Sequence, residues 1–122
     1  MADEITISAT LRAINAGVTV VQRVSDRFDQ SNLGASQAIQ TVATTAEALS
    51  INSDISTVGW AWLTNVDATN FVEVGHWDGT TFFPVLRLKP KEVAVARLSP
   101  SATLYARADT ADVQLQVIVL ED

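Results

Sequence analysis

Side chains able to carry out acid–base chemistry are few in this sequence. His76 is the only histidine, and there is no cysteine. A nucleophilic triad needs a base beside a serine, but no Gly-x-Ser-x-Gly elbow is present to suggest which serine that would be. We therefore expect His76 to lie at a sheet rim near the Asp78-Gly79 turn, and we predict no catalytic residue and no enzymatic activity.

Ligands for a metal ion or a phosphate group are also sparse. One histidine without cysteine offers too few nitrogen and sulfur donors for a zinc or copper site. Asp109 and Asp112 could supply oxygen ligands to calcium, but aspartates in turns more often bond to nearby backbone amides, so calcium binding stays open. The glycines stand singly, without a Gly-rich run before a helix. The sequence predicts no metal and no cofactor.

The three tryptophans allow two interpretations. Aromatic faces can stack on sugar rings, so a carbohydrate-binding or receptor-binding module stays open as an alternative. In alternating strands, however, tryptophan more often lies in the core or in an interface between subunits, and we favour that interpretation. The candidate interface residues are Phe28, Trp60, Trp62, Trp77, Ile118 and Leu120.

Composition limits the fold and the class of partner. A chain of 122 residues with 48% hydrophobic residues can build one core without disulfides. The net charge of −6 has the wrong sign for binding a phosphate backbone, so no nucleic acid partner is expected. No apolar run approaches the ~20 residues that a membrane span needs, and the acidic N-terminus does not resemble a signal peptide. We expect synthesis in the cytoplasm of the producing cell and no membrane partner.

Positions that could be functional must be held by strands, because side chains alternate with a period of two along most of the chain. Residues 5–13 alternate between apolar and polar side chains, as expected of a half-buried strand. Asn15-Ala16-Gly17 indicates a turn, and residues 18–28 repeat the alternation in a second strand whose far half leaves the core. Residues 35–49 fit a helix or a strand, and we favour the strand because the neighbouring segments are strands.

From residue 57 onward the strand signals are stronger. Asp78-Gly79 predicts a hairpin between residues 71–77 and 80–88, and Pro84 predicts an edge or a bulge in its second strand. The segment around Trp60 is apolar on both faces, which is typical of a central strand. The remaining candidate strands are residues 92–98, 103–108 and 113–120. Eight to nine strands with short turns predict an all-β fold with one domain over residues 1–122, an antiparallel, jelly-roll-like β-sandwich.

Several segments resemble a family of small structural proteins found in the virions of tailed bacteriophages. They are NVDATNFVEVG at 65–75, LRLKP at 86–90, ARL at 96–98, LYARAD at 104–109 and VIVLED at 117–122. The similarity extends over most of the chain and is clearest from about Thr57 onward. It implies a virion or virion-assembly protein without enzymatic activity, and it transfers no site residues.

These observations lead to an expected function. Many copies of a strand-rich acidic domain can sit symmetrically on a lattice, where modest contacts are multiplied. We expect a capsid decoration (cement) protein that contacts the major capsid protein and itself, as a homo-oligomer and most simply a trimer. A tail, baseplate or fibre-attachment component is the alternative within the virion.

Overall fold

The computed structural model describes residues 3–122, and within them it is all-β, as the sequence predicted. Every strand pairing is antiparallel. The chain forms two compact units, one ending at Ser31 and the other spanning Asn32–Asp122. The ten strands are β1 Ile5–Asn15, β2 Val18–Phe28, β3 Ala35–Val42, β4 Glu47–Ala48, β5 Val58–Asn65, β6 Val72–Trp77, β7 Phe82–Leu88, β8 Val93–Arg97, β9 Tyr105–Ala108 and β10 Val113–Glu121.

The first unit is a two-stranded hairpin of β1 and β2. Its register is regular from Ile5 opposite Phe28 to Asn15 opposite Val18, and Gly17 closes the turn with a φ of 81°. The predicted half-burial of the first strand is wrong. Along β1, Ile5 is buried, Ile7 is half-buried and all other residues are exposed. β2 is exposed up to Arg27, and not only in its far half. Alternation assigned the two faces correctly but did not show that the apolar side chains from Leu11 to Val24 are exposed.

The second unit is a sandwich of two four-stranded sheets. Sheet I has the order β3-β10-β5-β8 and sheet II has the order β4-β9-β6-β7. Each successive strand changes sheet, except that β6 and β7 share sheet II. The stretch 35–49 is extended, as predicted, but holds two strands, because β3 ends at Val42 and β4 begins at Glu47. This short strand raises the count to ten, where eight to nine were predicted.

The core lies between the inner faces of these two sheets. The alternate residues of β10, from Val113 to Val119, are fully buried, as their spacing predicted. Sheet II contributes residues such as Val72 and Val74, which are equally inaccessible. At roughly 25 cal/mol per Å² of apolar surface, burying each such valine stabilises the fold by about 1.5–3 kcal/mol.

Asn65 ties sheet I to the end of β7 in sheet II. Its side chain is fully buried, and Nδ2 donates to the carbonyl oxygens of Asn70 and Leu88, each at 2.9 Å. Its Oδ1 accepts a hydrogen bond from the Asp67 amide at 2.8 Å. Because buried polar groups must be paired, this asparagine fixes the loop between β5 and β6 as well as the spacing of the sheets.

The predicted hairpin at Asp78-Gly79 joins β6 to β7. Asp78 Oδ1 accepts hydrogen bonds from the amides of Thr80 and Thr81 at 2.8 and 2.6 Å, and Gly79 has a φ of 99°. These backbone bonds, the one from Thr81 first, hold the pKa of Asp78 below its ordinary value. The predictions for Pro84 are confirmed, since β7 is an edge strand and its register shifts where Pro84 faces Gly75.

Candidate interaction surfaces

The outer face of sheet II is organised around one carboxylate, Glu73 of β6. Direct cross-strand neighbours flank it, Arg87 on β7 and Arg107 on β9. Arg107 Nη2 donates to Glu73 Oε1 at 2.8 Å, and Arg87 Nη2 donates to Oε2 at 3.1 Å. The hydrogen bond from Arg107 is the main reason that the pKa of Glu73 lies below its ordinary value.

Aromatic rings complete this cluster on both sides. The Arg87 guanidinium lies 4.1 Å from the ring centre of Phe71, and that of Arg107 lies 4.8 Å from the ring centre of Phe82. Each arginine therefore satisfies a carboxylate oxygen while its charge contacts an aromatic face. The arrangement holds an ionised carboxylate in place and offers no proton donor, so its chemistry is that of a structural ion-pair cluster, which we call the Glu73 clamp.

The outer face of sheet I has apolar side chains at its centre, and among the described residues it has no comparable ion-pair cluster. Trp62 lies at its centre, paired on one side with Ile118 of β10 and on the other with Val95 of β8. The next row has Ile39 and Val93 at its two ends, with Gln116 and Thr64 between them. Trp62 is 42% exposed and Ile39 is 63% exposed. We call this surface the Trp62 face.

One cation borders the Trp62 face. Trp60 and Arg97 face each other across β5 and β8, and the guanidinium lies 5.6 Å from the ring centre. Arg97 also forms an ion pair with Asp122 at 3.1 Å. An apolar centre with charged groups at its rim is the usual anatomy of a protein–protein interface, in which tryptophan and arginine are enriched.

A cleft opens into the sandwich between β7 and β8, which are one edge strand of each sheet. Its volume is about 740 Å³, and its lining is mainly apolar. Ala94 and Ala96 contribute from β8, and Leu86 contributes from β7. Trp77 and Tyr105 also line it, with their rings stacked at a centroid distance of 6.0 Å. Small alanine side chains at this edge leave space that larger residues would fill.

The hairpin of the first unit carries a third apolar surface. Cross-strand pairs such as Ala9 with Val24 and Ala13 with Val20 place its apolar residues on one face. Leu11 on this face is 65% exposed and Val24 is 58% exposed. The opposite face is mainly polar, with a hydrogen bond of 2.9 Å between the hydroxyls of Ser8 and Ser25 and with all three arginines of the hairpin. We call the first surface the hairpin apolar face.

Four of the six predicted interface residues lie on one surface. Trp60 and Trp62 of β5 share the Trp62 face with Ile118 and Leu120 of β10, because these strands are neighbours and the four side chains alternate outward. Trp77 lies instead at the cleft. Phe28 is half-buried at the open end of the hairpin, opposite Ile5.

His76 lies where its sequence position suggested, near the end of β6 beside the Asp78-Gly79 turn. It is exposed, and its ring stacks on Phe83 with a centroid distance of 6.3 Å. Asp109 and Asp112 flank an exposed turn between β9 and β10. Across residues 3–122, no group of three or more acidic, histidine or cysteine side chains is arranged to hold a metal ion.

The cleft and the Glu73 clamp were missed at the level of the sequence. A run of alanines at 94, 96 and 102 was the available signal for the cleft, but small residues become a cavity only once it is known which sheets they separate. Opposite charges at positions 73, 87 and 107 were visible, yet they adjoin only through strand pairings that the sequence does not show. Within residues 3–122 there is no helix that could cross a membrane.

Comparisons with models of protein families, with curated proteins and with solved structures found no match to this chain.

Proposed function

We propose that this protein is a non-enzymatic structural component of a bacteriophage virion, a capsid decoration (cement) protein that binds to the major capsid protein and to itself. The observation that carries the proposal is the Trp62 face. A half-exposed tryptophan amid exposed aliphatic side chains has no covering partner within the described chain. An exposed tryptophan beside exposed aliphatic side chains is typical of a contact with another protein.

Two further observations support the virion context. The segments from NVDATNFVEVG to VIVLED resemble small virion proteins of tailed phages. We also infer that the eight strands β3–β10 form a jelly roll, because their order in the two sheets is the one that two interleaved Greek keys produce. Jelly rolls occur in viral capsid proteins and in lectins, so the fold narrows the function without deciding it.

The copy number in purified particles tests the location. Particles made from the genome that encodes this chain should contain hundreds of copies by quantitative mass spectrometry, since a decoration protein repeats with the capsid lattice. A few dozen copies or fewer would place it in the tail, baseplate or fibre attachment, which is the alternative virion role. Complete absence from the particle would contradict both.

A matched pair of variants tests the surface. Trp62→Ser removes the centre of the Trp62 face, and Phe83→Ser removes an aromatic of similar exposure, 49% against 42%, from sheet II. Particles assembled without the protein should bind the Phe83→Ser variant as they bind the wild type. Loss of a central interface tryptophan commonly costs 2 kcal/mol or more, or about 30-fold in affinity. Equal binding of both variants would contradict the proposed use of this face.

Carbohydrate or receptor binding is the second candidate, and the exposure of Trp62 is the observation that favours it. An exposed indole on the outer face of a sheet could stack on a sugar ring. Glycans that bind there would change the tryptophan fluorescence of the wild type and not that of Trp62→Ser. If the wild type shows no change across a glycan panel, this candidate is set aside.

A further inference from the structure

The interior of the sandwich is open to solvent at the cleft between β7 and β8. Leu86 of β7 pairs with Val74, and a direct cross-strand partner points to the same side of a sheet. Ala96 of β8 pairs in the same way with Ala61. Val74 and Ala61 are buried, at 1% and 4% exposure, so their partners also point inward. Nevertheless Leu86 is 38% exposed, and Ala96 is exposed as well.

The opening arises because the inward side chains of β8 are short. Ala94 pairs with the buried Leu63 and therefore points inward like Ala96. Stacked sheets lie roughly 10 Å apart, and facing side chains must together span that distance. Deeper in the core, valine and leucine side chains do so. At β8 two alanines leave a space unfilled, and a molecule that occupied it would gain the packing contacts that the protein leaves unmade.

The lining of the cleft defines the chemistry of such a molecule. Among the described residues that line it, none is Asp, Glu, Lys or Arg. Ser101 and Thr103, in the segment between β8 and β9, bring side-chain hydroxyl groups, and His76 brings a ring from β6. A charged group moved from water into apolar surroundings is unfavourable without a partner of opposite charge. An uncharged molecule with few polar groups therefore fits this lining.

The size of the cleft favours a small molecule over a protein segment. Its volume of about 740 Å³ lies within the roughly 300–1,000 Å³ that is usual for small-molecule sites. The lining consists of 16 residues, whereas a stable protein interface takes roughly 20–30 residues from each side. Such sites are also lined mainly by apolar and aromatic side chains with a few polar groups, as this one is.

We propose that the cleft between β7 and β8 binds a small, uncharged and mainly apolar molecule, of the class of medium-chain alcohols and neutral aromatic compounds. The hydroxyls of Ser101 and Thr103 are placed to bond its polar group, while Leu86, Ala94 and Ala96 contact its apolar part. This site goes beyond the proposed function, because it lies between the sheets and uses none of the residues of the Trp62 face.

The experiment titrates the full chain with N-phenyl-1-naphthylamine, an uncharged apolar dye whose fluorescence rises in apolar surroundings. Ala94→Leu/Ala96→Leu fills the cleft. Ala9→Leu/Ala13→Leu is the matched control, since it adds the same volume at two exposed alanines of the hairpin apolar face. Trp62→Ser is a second control, which removes the centre of the Trp62 face. Circular dichroism and urea unfolding check that each variant is folded.

We expect the wild type and both controls to bind one dye molecule with the same affinity, and the filled variant to bind it at least tenfold more weakly. 1-Decanol should displace the dye from the wild type. Decanoate and decyltrimethylammonium have the same chain length but carry a charge, so each should need at least a tenfold higher concentration. If Ala94→Leu/Ala96→Leu does not fold, Ala96→Leu alone replaces it, because that position is exposed and has room for the larger side chain.

Four results would overturn the inference. Absence of dye binding by the wild type would remove the site, and equal affinity of the wild type and the filled variant would place the dye elsewhere. Displacement by decanoate as readily as by 1-decanol would contradict the selection for uncharged molecules. An oligomeric wild type that becomes monomeric as Ala96→Leu in light scattering would mean that a second copy occupies the cleft. None of these results bears on the copy number in particles or on the particle binding of Trp62→Ser.

Discussion

The two outer faces of the sandwich differ in how far their own side chains cover them. On sheet II, Glu73 is held by Arg87 and Arg107, and aromatic rings cover the guanidinium groups. On sheet I, the Trp62 face leaves apolar side chains exposed without such a cover. A surface completed by its own side chains stabilises the chain that carries it. A surface left incomplete can gain stability from a partner, and the proposed function uses the Trp62 face in this way.

The largest effect on both faces should come from Asn65, which ties the sheets together. Asn65→Leu leaves the Asp67 amide and two carbonyl oxygens without their side-chain partner, and each unsatisfied buried group costs about 1–3 kcal/mol. We expect the free energy of unfolding in urea to fall by about 3 kcal/mol or more. A loss below about 1 kcal/mol would show that the sheets are held independently of this side chain.

The next largest effect should come from Glu73 on the outer face of sheet II. Glu73→Gln keeps the shape of the side chain and removes its charge, so both arginines lose a charge-assisted partner. Since hydrogen bonds to charged groups contribute about 1.5–3 kcal/mol, and the arginines are partly exposed, we expect a loss of about 1–2 kcal/mol in urea unfolding. If Glu73→Gln unfolds like the wild type, the Glu73 clamp does not stabilise the sheet and the comparison fails on that side.

Trp62→Ser should lose little stability and should mainly lose binding to particles. Because the residue is half-exposed and its cross-strand contacts are worth only about 0.2–1 kcal/mol each, we expect the stability of the isolated chain to fall by no more than about 1 kcal/mol. Its main deficit should be in particle binding. A stability loss that exceeds that of Glu73→Gln would mean that the tryptophan serves the fold first.

The smallest expected effect is on the pH dependence of stability, which should differ between the wild type and Glu73→Gln. The pKa of Glu73 is lowered from 4.5 in the folded chain, chiefly by Arg107, so the unfolded chain takes up this proton more readily. Its contribution to stability is therefore complete above pH 4.5 and is lost as the pH falls through the folded pKa. The stability of Glu73→Gln should fall less steeply than that of the wild type below pH 4.5, as measured by urea unfolding at several pH values.

Some of that acid sensitivity will remain in the variant. The pKa values of Asp67, Asp78 and Glu121 are also lowered, in each case first by a backbone hydrogen bond, from Asn70, Thr81 and Ser56 respectively. None of these carboxylates belongs to the Glu73 clamp. Identical pH profiles for wild type and variant would assign the effect to these three carboxylates instead of Glu73.

Local rules predicted much of the sandwich. The alternation from Val113 to Val119, the Asp78-Gly79 hairpin and the bulge at Pro84 follow from side-chain period and turn chemistry within a few residues. The Trp62 face was partly predictable, because Trp62 and Ile118 were both candidate interface residues from the sequence. That they meet was not predictable, since it depends on β5 and β10 being neighbours.

The predictions that failed concerned contacts between residues that are far apart in the sequence. Alternation in residues 5–28 gave the correct faces, but whether a face is covered depends on elements elsewhere. The two-residue strand β4 is too short to show a period. The cleft arises where Ala94 and Ala96 face a second sheet, and no local pattern shows which sheet lies opposite.

The central position of β10 has a consequence for how the protein is made. This strand pairs with β3 on one side and β5 on the other, and Glu121 accepts hydrogen bonds from the amides of Gly34 and Ser56. A nascent chain synthesised as far as β9 thus has β3 and β5 with no strand between them, both open to pairing with other chains. Sheet I can close only after the ribosome has released β10, so translation itself sets the earliest moment at which the Trp62 face exists.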